Sequence, residues 1–149
     1  MCAVRPTRLQ PRWRGAEILS MPGPSILVVE DDPAIHMSLC STLRTLGFTP
    51  FQAETADDAA SLLERESIDA ITLDVTLPDA SGTKKSGLGF LEHLRTIQGH
   101  ADTPVLIFTG TFLSEDDEKF AKKHGAEVHY KPMAYYELVA HLNRLLGLP

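Results

Sequence analysis

A chain of 149 residues, 43% of them hydrophobic and 23% charged, has the size and balance of one packed domain with a short appendage. Its 14 basic against 20 acidic residues give a net charge of −6. No apolar run approaches the ~20 residues of a membrane span, so polyanion and bilayer binding are both disfavoured. Two cysteines, Cys2 and Cys40, neither build a disulfide framework nor show metal-ligand spacing, which suits a reducing cytoplasm.

Residues 1–23 stand apart from the rest. They hold Arg5, Arg8, Arg12 and Arg14 against Glu17 alone, with Pro6, Pro11 and Pro22 and no helical or strand period. They read as a flexible basic tail ahead of a domain over 24–149. The tail lacks the apolar stretch of a secretory signal, and Met21 offers an alternative start. The domain alone holds 10 basic and 19 acidic residues, a net of −9.

From Ser25 onward strand-like runs alternate with amphipathic helices. Ile26–Val29 is the first strand, followed by a helix capped by Asp32, opened by Pro33, striped by Ile35, Leu39, Leu43 and Leu46, and stopped at Gly47. A weaker strand at Thr49–Ala53 precedes a helix whose cap pairs Thr55 with Asp58 and whose apolar face holds Ala59, Leu62 and Leu63. Ala70–Leu73, Val105–Phe108 and Glu127–Tyr130 are the remaining strands. Helices are predicted over Leu88–Ile97, from Ser114 to near Gly125, and over Ala134–Leu146. Three of the five strands are apolar at successive positions, which requires cover on both faces and hence a parallel sheet between helical layers. The fold class is α/β, built from five βα units.

In such sheets the carboxyl ends of the strands carry the chemistry. Glu30, Asp31 and Asp32 follow the first strand, Asp74 the third, Thr109 and Gly110 the fourth, and Lys131 and Pro132 the fifth. Asp32 is assigned to the helix cap and left out of the site. Carboxylates crowded at adjacent strand ends repel one another unless protonated or bridged by a hard cation, and an oxygen-only set suits Mg²⁺. With a lysine and a hydroxyl beside it, one such carboxylate is equipped to accept a phosphoryl group.

These residues resemble the receiver domains of two-component response regulators. The resemblance spans about Ser25 to Leu146 and is carried by ILVVEDDP (26–33), ITLDVTLPDASG (71–82), VLIFTGT (105–111) and YKPM (130–133). It implies a flavodoxin-like doubly wound sheet with strand order 2-1-3-4-5. Asp74 is then the acceptor of a phosphoryl group from a histidine kinase or phosphotransfer protein. Asp31 is a direct Mg²⁺ ligand, Glu30 an acidic partner acting through water, and the Thr76 carbonyl a further ligand. Thr109 and Lys131 contact the phosphoryl oxygens, and a cis Lys131–Pro132 bond aims Lys131 at Asp74.

Two departures from the family pattern stand out. The aromatic residue usual three positions before the lysine is Val128, and Tyr130 is expected on the other side of the strand, unable to replace it. Thr83–Gly87 adds about five residues, read as a mobile, solvated loop. His36, His93, His100, His124, His129 and His141 show no metal pattern and are read as surface or half-buried side chains.

Three rivals were weighed. A flavin-binding flavodoxin would be repelled by the acids of the first loop, and an aspartate-nucleophile phosphatase would need a second acid where Thr76 stands. A receiver-like interaction module working without phosphorylation differs by failing to take up a phosphoryl group. The chain ends at Pro149 with no output domain in view, so the expected partners are proteins rather than DNA or a membrane, and the place of action the cytoplasm.

Overall fold

The computed structural model describes residues 22–78 and 84–149. The chain runs β1 (Ser25–Val29), α1 (Pro33–Thr45), β2 (Thr49–Ala53), α2 (Ala56–Arg65), β3 (Ala70–Leu73), β4 (Thr76–Pro78), β5 (Lys84–Ser86), α3 (Leu88–Leu94), β6 (Val105–Thr109), α4 (Glu115–Lys123), β7 (Ala126–Tyr130) and α5 (Tyr135–Leu146). Five strands form one parallel sheet in the order β2-β1-β3-β6-β7, the doubly wound order expected from the sequence.

The continuous apolar runs are explained by cover on both faces. Along β1, Ile26 and Val28 join Leu39, Cys40 and Leu43 of α1 and Leu138 and Leu142 of α5 in one core. Leu27 and Val29 join Ala59 and Leu63 of α2, Leu91 and Leu94 of α3 and Ala121 of α4 in the other. Alternate side chains thus enter opposite layers. Truncating Leu27 or Ile107, neither of which is exposed at all, would cost ~2–5 kcal/mol. Cys40 is a buried free thiol in this packing, as its place beside the apolar stripe suggested.

The helix starts follow their caps. The Asp32 carboxylate accepts from the amides of Ala34 and Ile35, Thr55 accepts from Asp58, and Ser114 accepts from Asp117. Helix α3 is shorter than its periodicity predicts, ending at Leu94 instead of Ile97, and its continuation breaks into turns that lead to Gly99 at φ 85°. The next residue, Arg95, turns its guanidinium onto the carbonyls of His124 (2.8 Å), Thr103 (2.7 Å), His100 (3.1 Å) and Gly125 (3.4 Å). That cation closes the carboxyl end of α4, where the helix dipole favours positive charge.

Two further expectations are corrected. Residues 84–86, read as part of a mobile loop, pair antiparallel with Thr76–Pro78, because the chain must return from the end of β3 to the start of α3 close to itself. Residues 79–83, and the tail to Met21, lie outside the described residues. His36 and His100 are buried, not surface or half-buried. His100 is held between the Thr103 hydroxyl and the Leu63 carbonyl, while His36 is on the buried face of α1 with its Nε2 unpartnered.

Candidate functional site

The site residues meet because parallel strands end at one edge of the sheet. β1 delivers Glu30 and Asp31, β3 delivers Asp74, β6 ends on Thr109, and β7 leads into Lys131. Ladder-like backbone bonds fix the heights of these ends. Glu30 donates to Ala53, Asp74 to Val29 and Lys131 to Thr109 through their amides.

Asp74 is 7% exposed and Glu30 3%. The Asp74 Oδ1 accepts the Thr76 amide at 3.0 Å and the Thr109 hydroxyl at 3.2 Å, and Oδ2 accepts the Lys131 ammonium at 3.0 Å. The same ammonium donates to both Glu30 oxygens, at 3.0 and 3.2 Å. The Lys131–Pro132 bond is cis. Asp31 completes a trio with Glu30 and Asp74 in which one carboxylate oxygen from each lies within 4.8 Å of the others. Asp32 stays at the α1 cap, outside this group.

One ammonium cannot neutralise three carboxylates, and Glu30 shows the strain electrostatically. Burial, and next to it the charge of Asp74, pushes the Glu30 carboxyl up to about 7 despite the Lys131 hydrogen bonds. Burial alone would lower the Lys131 ammonium, but its hydrogen bonds to Asp74 and Glu30 hold it above the usual lysine range. The donor set is all oxygen, anionic in excess and partly open at Asp31, which fits a hard divalent cation. The sharing of Lys131 between Glu30 and Asp74 was not legible from spacing, since it depends on how far the lysine stem reaches across β6.

The surroundings tie Thr109 to the loop that follows. The Thr111 amide donates to the Thr109 hydroxyl at 3.2 Å, and the Thr111 and Thr76 hydroxyls are 3.1 Å apart. Gly110 keeps the approach open, since a Cβ there would meet only the Lys131 stem, at 3.9 Å. On the other side Gly87 is forced: a Cβ would stand 2.7 Å from the Asp74 carbonyl oxygen, and its amide bonds the Val75 carbonyl.

The expected orientation of Tyr130 is overturned. Val128 and Tyr130 are two residues apart and therefore share a face, the one covered by α4. Val128 packs with Phe120, and the Tyr130 hydroxyl donates to Glu118 at 2.5 Å and accepts from the Leu113 amide at 3.4 Å. Its ring lies 5.2 Å from that of Phe112. An aromatic side chain does face α4, one turn of the strand pleat beyond the family position.

The comparisons agree with this geometry. The family model described as response regulator receiver domain matches residues 26–143. The phosphate regulon transcriptional regulatory protein PhoB of Escherichia coli (strain K12) is 33% identical over 121 residues, which cover 81% of this chain and 51% of that protein. The transcriptional activator protein PfeR of Pseudomonas aeruginosa is 32% identical over 129 residues, 86% of this chain and 39% of the relative. The chain thus spans about half or less of the length of these curated relatives. A CheY-like receiver domain protein from Methanospirillum hungatei JF-1 superposes with a TM-score of 0.74 at 25% identity, covering 84% of this chain and 94% of its own. The receiver domain of the sensor histidine kinase PA1611 from Pseudomonas aeruginosa PAO1, whose structure has a magnesium ion coordinated in the active site cleft, gives 0.72 at 27%, covering 84% and 98%. Among the described residues no helix is long and apolar enough to cross a membrane. By family-model match, sequence identity and strand order alike, the chain belongs to the response regulator receiver domain family.

Proposed function

We propose that this chain is a cytoplasmic phosphoacceptor of a two-component phosphorelay, taking a phosphoryl group from a histidine kinase or phosphotransfer protein onto Asp74. The observation that carries the reading is the setting of Asp74: a buried carboxylate at a strand end, with a hydroxyl on one oxygen and an ammonium on the other. In the transfer, an Asp74 oxygen attacks phosphorus as the bond to the donor imidazole nitrogen breaks, and the electron pair leaves with that nitrogen. Glu30, Asp31, Asp74 and the Thr76 carbonyl would hold Mg²⁺, with Glu30 acting through water. The bound ion supplies positive charge against the phosphoryl oxygens. The Thr109 hydroxyl and Lys131 ammonium turn from the carboxylate to the new oxygens.

The signal then leaves through protein contacts. Drawing Thr109 inward pulls the Thr111 amide bonded to it, and the loop carries this to Leu113, whose amide rests on Tyr130. Tyr130 is bonded to Glu118 on α4, so it takes over the coupling that Val128 cannot perform. Amide spectra with and without beryllofluoride and Mg²⁺ test this route. Shifts over Thr109–Thr111 and α4 are expected, and shifts confined to α1 would refute it.

Intact-mass measurement after exposure to acetyl phosphate and Mg²⁺ tests the function itself. One added phosphoryl mass is expected, lost in Asp74→Asn and when Mg²⁺ is withheld, while Asp31→Ala demands far more Mg²⁺. No uptake by the folded chain would favour the interaction module that works without phosphorylation, and phosphate found on Asp31 or a histidine would overturn the assignment of Asp74.

A further inference from the structure

On the outer edge of the sheet, away from Asp74, a second group of side chains converges. Glu127 and His129 are two residues apart on β7 and so point to the same face, the one covered by α5, which brings His141. The His129 Nε2 lies 2.9 Å and the His141 Nδ1 3.6 Å from the same oxygen, Glu127 Oε1. One ligand atom from each of the three lies within 4.8 Å of the others, and the two imidazole rings lie with centroids 4.1 Å apart and planes tilted by 34°. A tetrahedral ion with bonds of ~2.0–2.1 Å needs donor atoms ~3.3 Å apart, which the two observed separations bracket.

The acceptor atoms already face one cation. Arg144 stands 3.1 Å from the His141 Nδ1 and is also hydrogen-bonded to Glu127 Oε1. A guanidinium has no acceptor, so in this contact the His141 Nδ1 is the acceptor, its lone pair turned to the cation of Arg144. Glu127 is held below the ordinary carboxylate range: burial would raise it, but the hydrogen bonds from His129 and Arg144 prevail. One donor set therefore offers a carboxylate and an imidazole lone pair, and His129, in the tautomer that carries its proton on Nδ1, supplies the third ligand atom. The mounts are rigid, because β7 is paired with β6 along its length and His141 neighbours the buried Leu142.

We propose that Glu127, His129 and His141 form a zinc site that clamps β7 to α5. Two imidazoles and one carboxylate select a borderline ion such as Zn²⁺ over Mg²⁺. The side chains are 33%, 15% and 34% exposed, so water completes the fourth position. Arg144, itself 55% exposed, swings out to solvent when the ion enters. The site shares no ligand with the acidic edge and does not depend on Asp74 accepting a phosphoryl group.

The test uses the full chain saturated with Mg²⁺, titrated with Co²⁺ as a spectroscopic probe and with Zn²⁺ in competition. The expected result is one ion per chain with a visible d–d band of the strength of a four- or five-coordinate, nitrogen-ligated site. His129→Ala and His141→Ala should each weaken Zn²⁺ binding at least tenfold, Asp31→Asn should leave it unchanged, and Arg144→Gln, which removes the competing cation, should strengthen it several-fold. Zn²⁺ should also raise the melting temperature of the wild type but not of His141→Ala. Zinc binding that is insensitive to both histidines, that disappears in Asp31→Asn or that weakens in Arg144→Gln would overturn the proposal, as would a Co²⁺ complex without the band.

Discussion

Two carboxylates, each held against cations, respond in opposite ways. Glu30 and Asp74 share the ammonium of Lys131 in a buried setting, and the Glu30 carboxyl moves up to about 7. Glu127, a third exposed, has a guanidinium and an imidazole to itself, and its carboxyl moves down. In both places burial pushes upward. The number of cations per anion, and the water left around them, decides which effect wins. The acidic edge holds more buried anions than cations, whereas Glu127 is a single half-buried anion hydrogen-bonded to a guanidinium and an imidazole.

Substitutions can break this contrast, beginning with its largest member. Lys131→Met leaves two buried carboxylates facing one another and should cost ~3–5 kcal/mol at about pH 8 in chelator, read from the urea midpoint. The loss should shrink toward about pH 5, where protons replace the ammonium. An equal loss at both pH values would mean that the lysine acts by packing, not charge.

Glu30→Gln should have a smaller effect of the opposite sign. The folded carboxyl sits at about 7 against an ordinary 4.5, so the folded state holds the proton more tightly, and the stability that this contributes below 4.5 is lost as the pH climbs through 7. The amide never ionises. Metal-free Glu30→Gln should therefore exceed the wild type by on the order of 2 kcal/mol at about pH 8 and match it near pH 4, as denaturation curves at the two pH values would show. A less stable variant at pH 8 would mean that the bond to Lys131 outweighs burial.

The smallest effect belongs to Glu127→Gln. The folded carboxyl is lowered, so its contribution is present above the ordinary carboxylate range and is lost as the pH falls below it. With a third of the side chain in water, the variant should lose no more than ~1 kcal/mol at neutral pH in chelator, and less at raised salt. A salt-independent loss would point to packing of the His129–His141 pair instead.

How much of this could be read beforehand depended on the range of the interaction. Caps act within three residues, and Asp32, Thr55 and Ser114 each start a helix where the sequence places one. The site edge was legible for a different reason. A parallel sheet brings all its carboxyl ends together, so recognising β1, β3, β6 and β7 already gathers Glu30, Asp31, Asp74, Thr109 and Lys131. What escaped needs a docking register that no local pattern encodes. His141 meets His129 across 12 positions only because of how α5 lies on β7, and the pairing of Thr76–Pro78 with Lys84–Ser86 joins residues that are far from any local pattern. The burial of His36 and His100 escaped as well, since a polar residue on an apolar face announces itself only through its partners. The side of Tyr130 is a separate case. The two-residue period places it with Val128 when the count runs from residue 128 rather than from Lys131.

Arg95 gives α4 the mechanics of a lever. Its guanidinium binds the carbonyls of His124 and Gly125 at one end of the helix and those of His100 and Thr103 beside it, making a fulcrum. The opposite end, at Ser114–Glu118, rests on the Tyr130 hydroxyl at the helix edge and sits next to the loop whose Thr111 amide is bonded to Thr109. On the proposed route, a small displacement at Thr109 would become a swing of α4 that is widest at its first turn and vanishes at its last. On that route the working surface would be the amino-terminal half of α4, and Arg95→Ala, by loosening the pivot, would turn a directed swing into a slide.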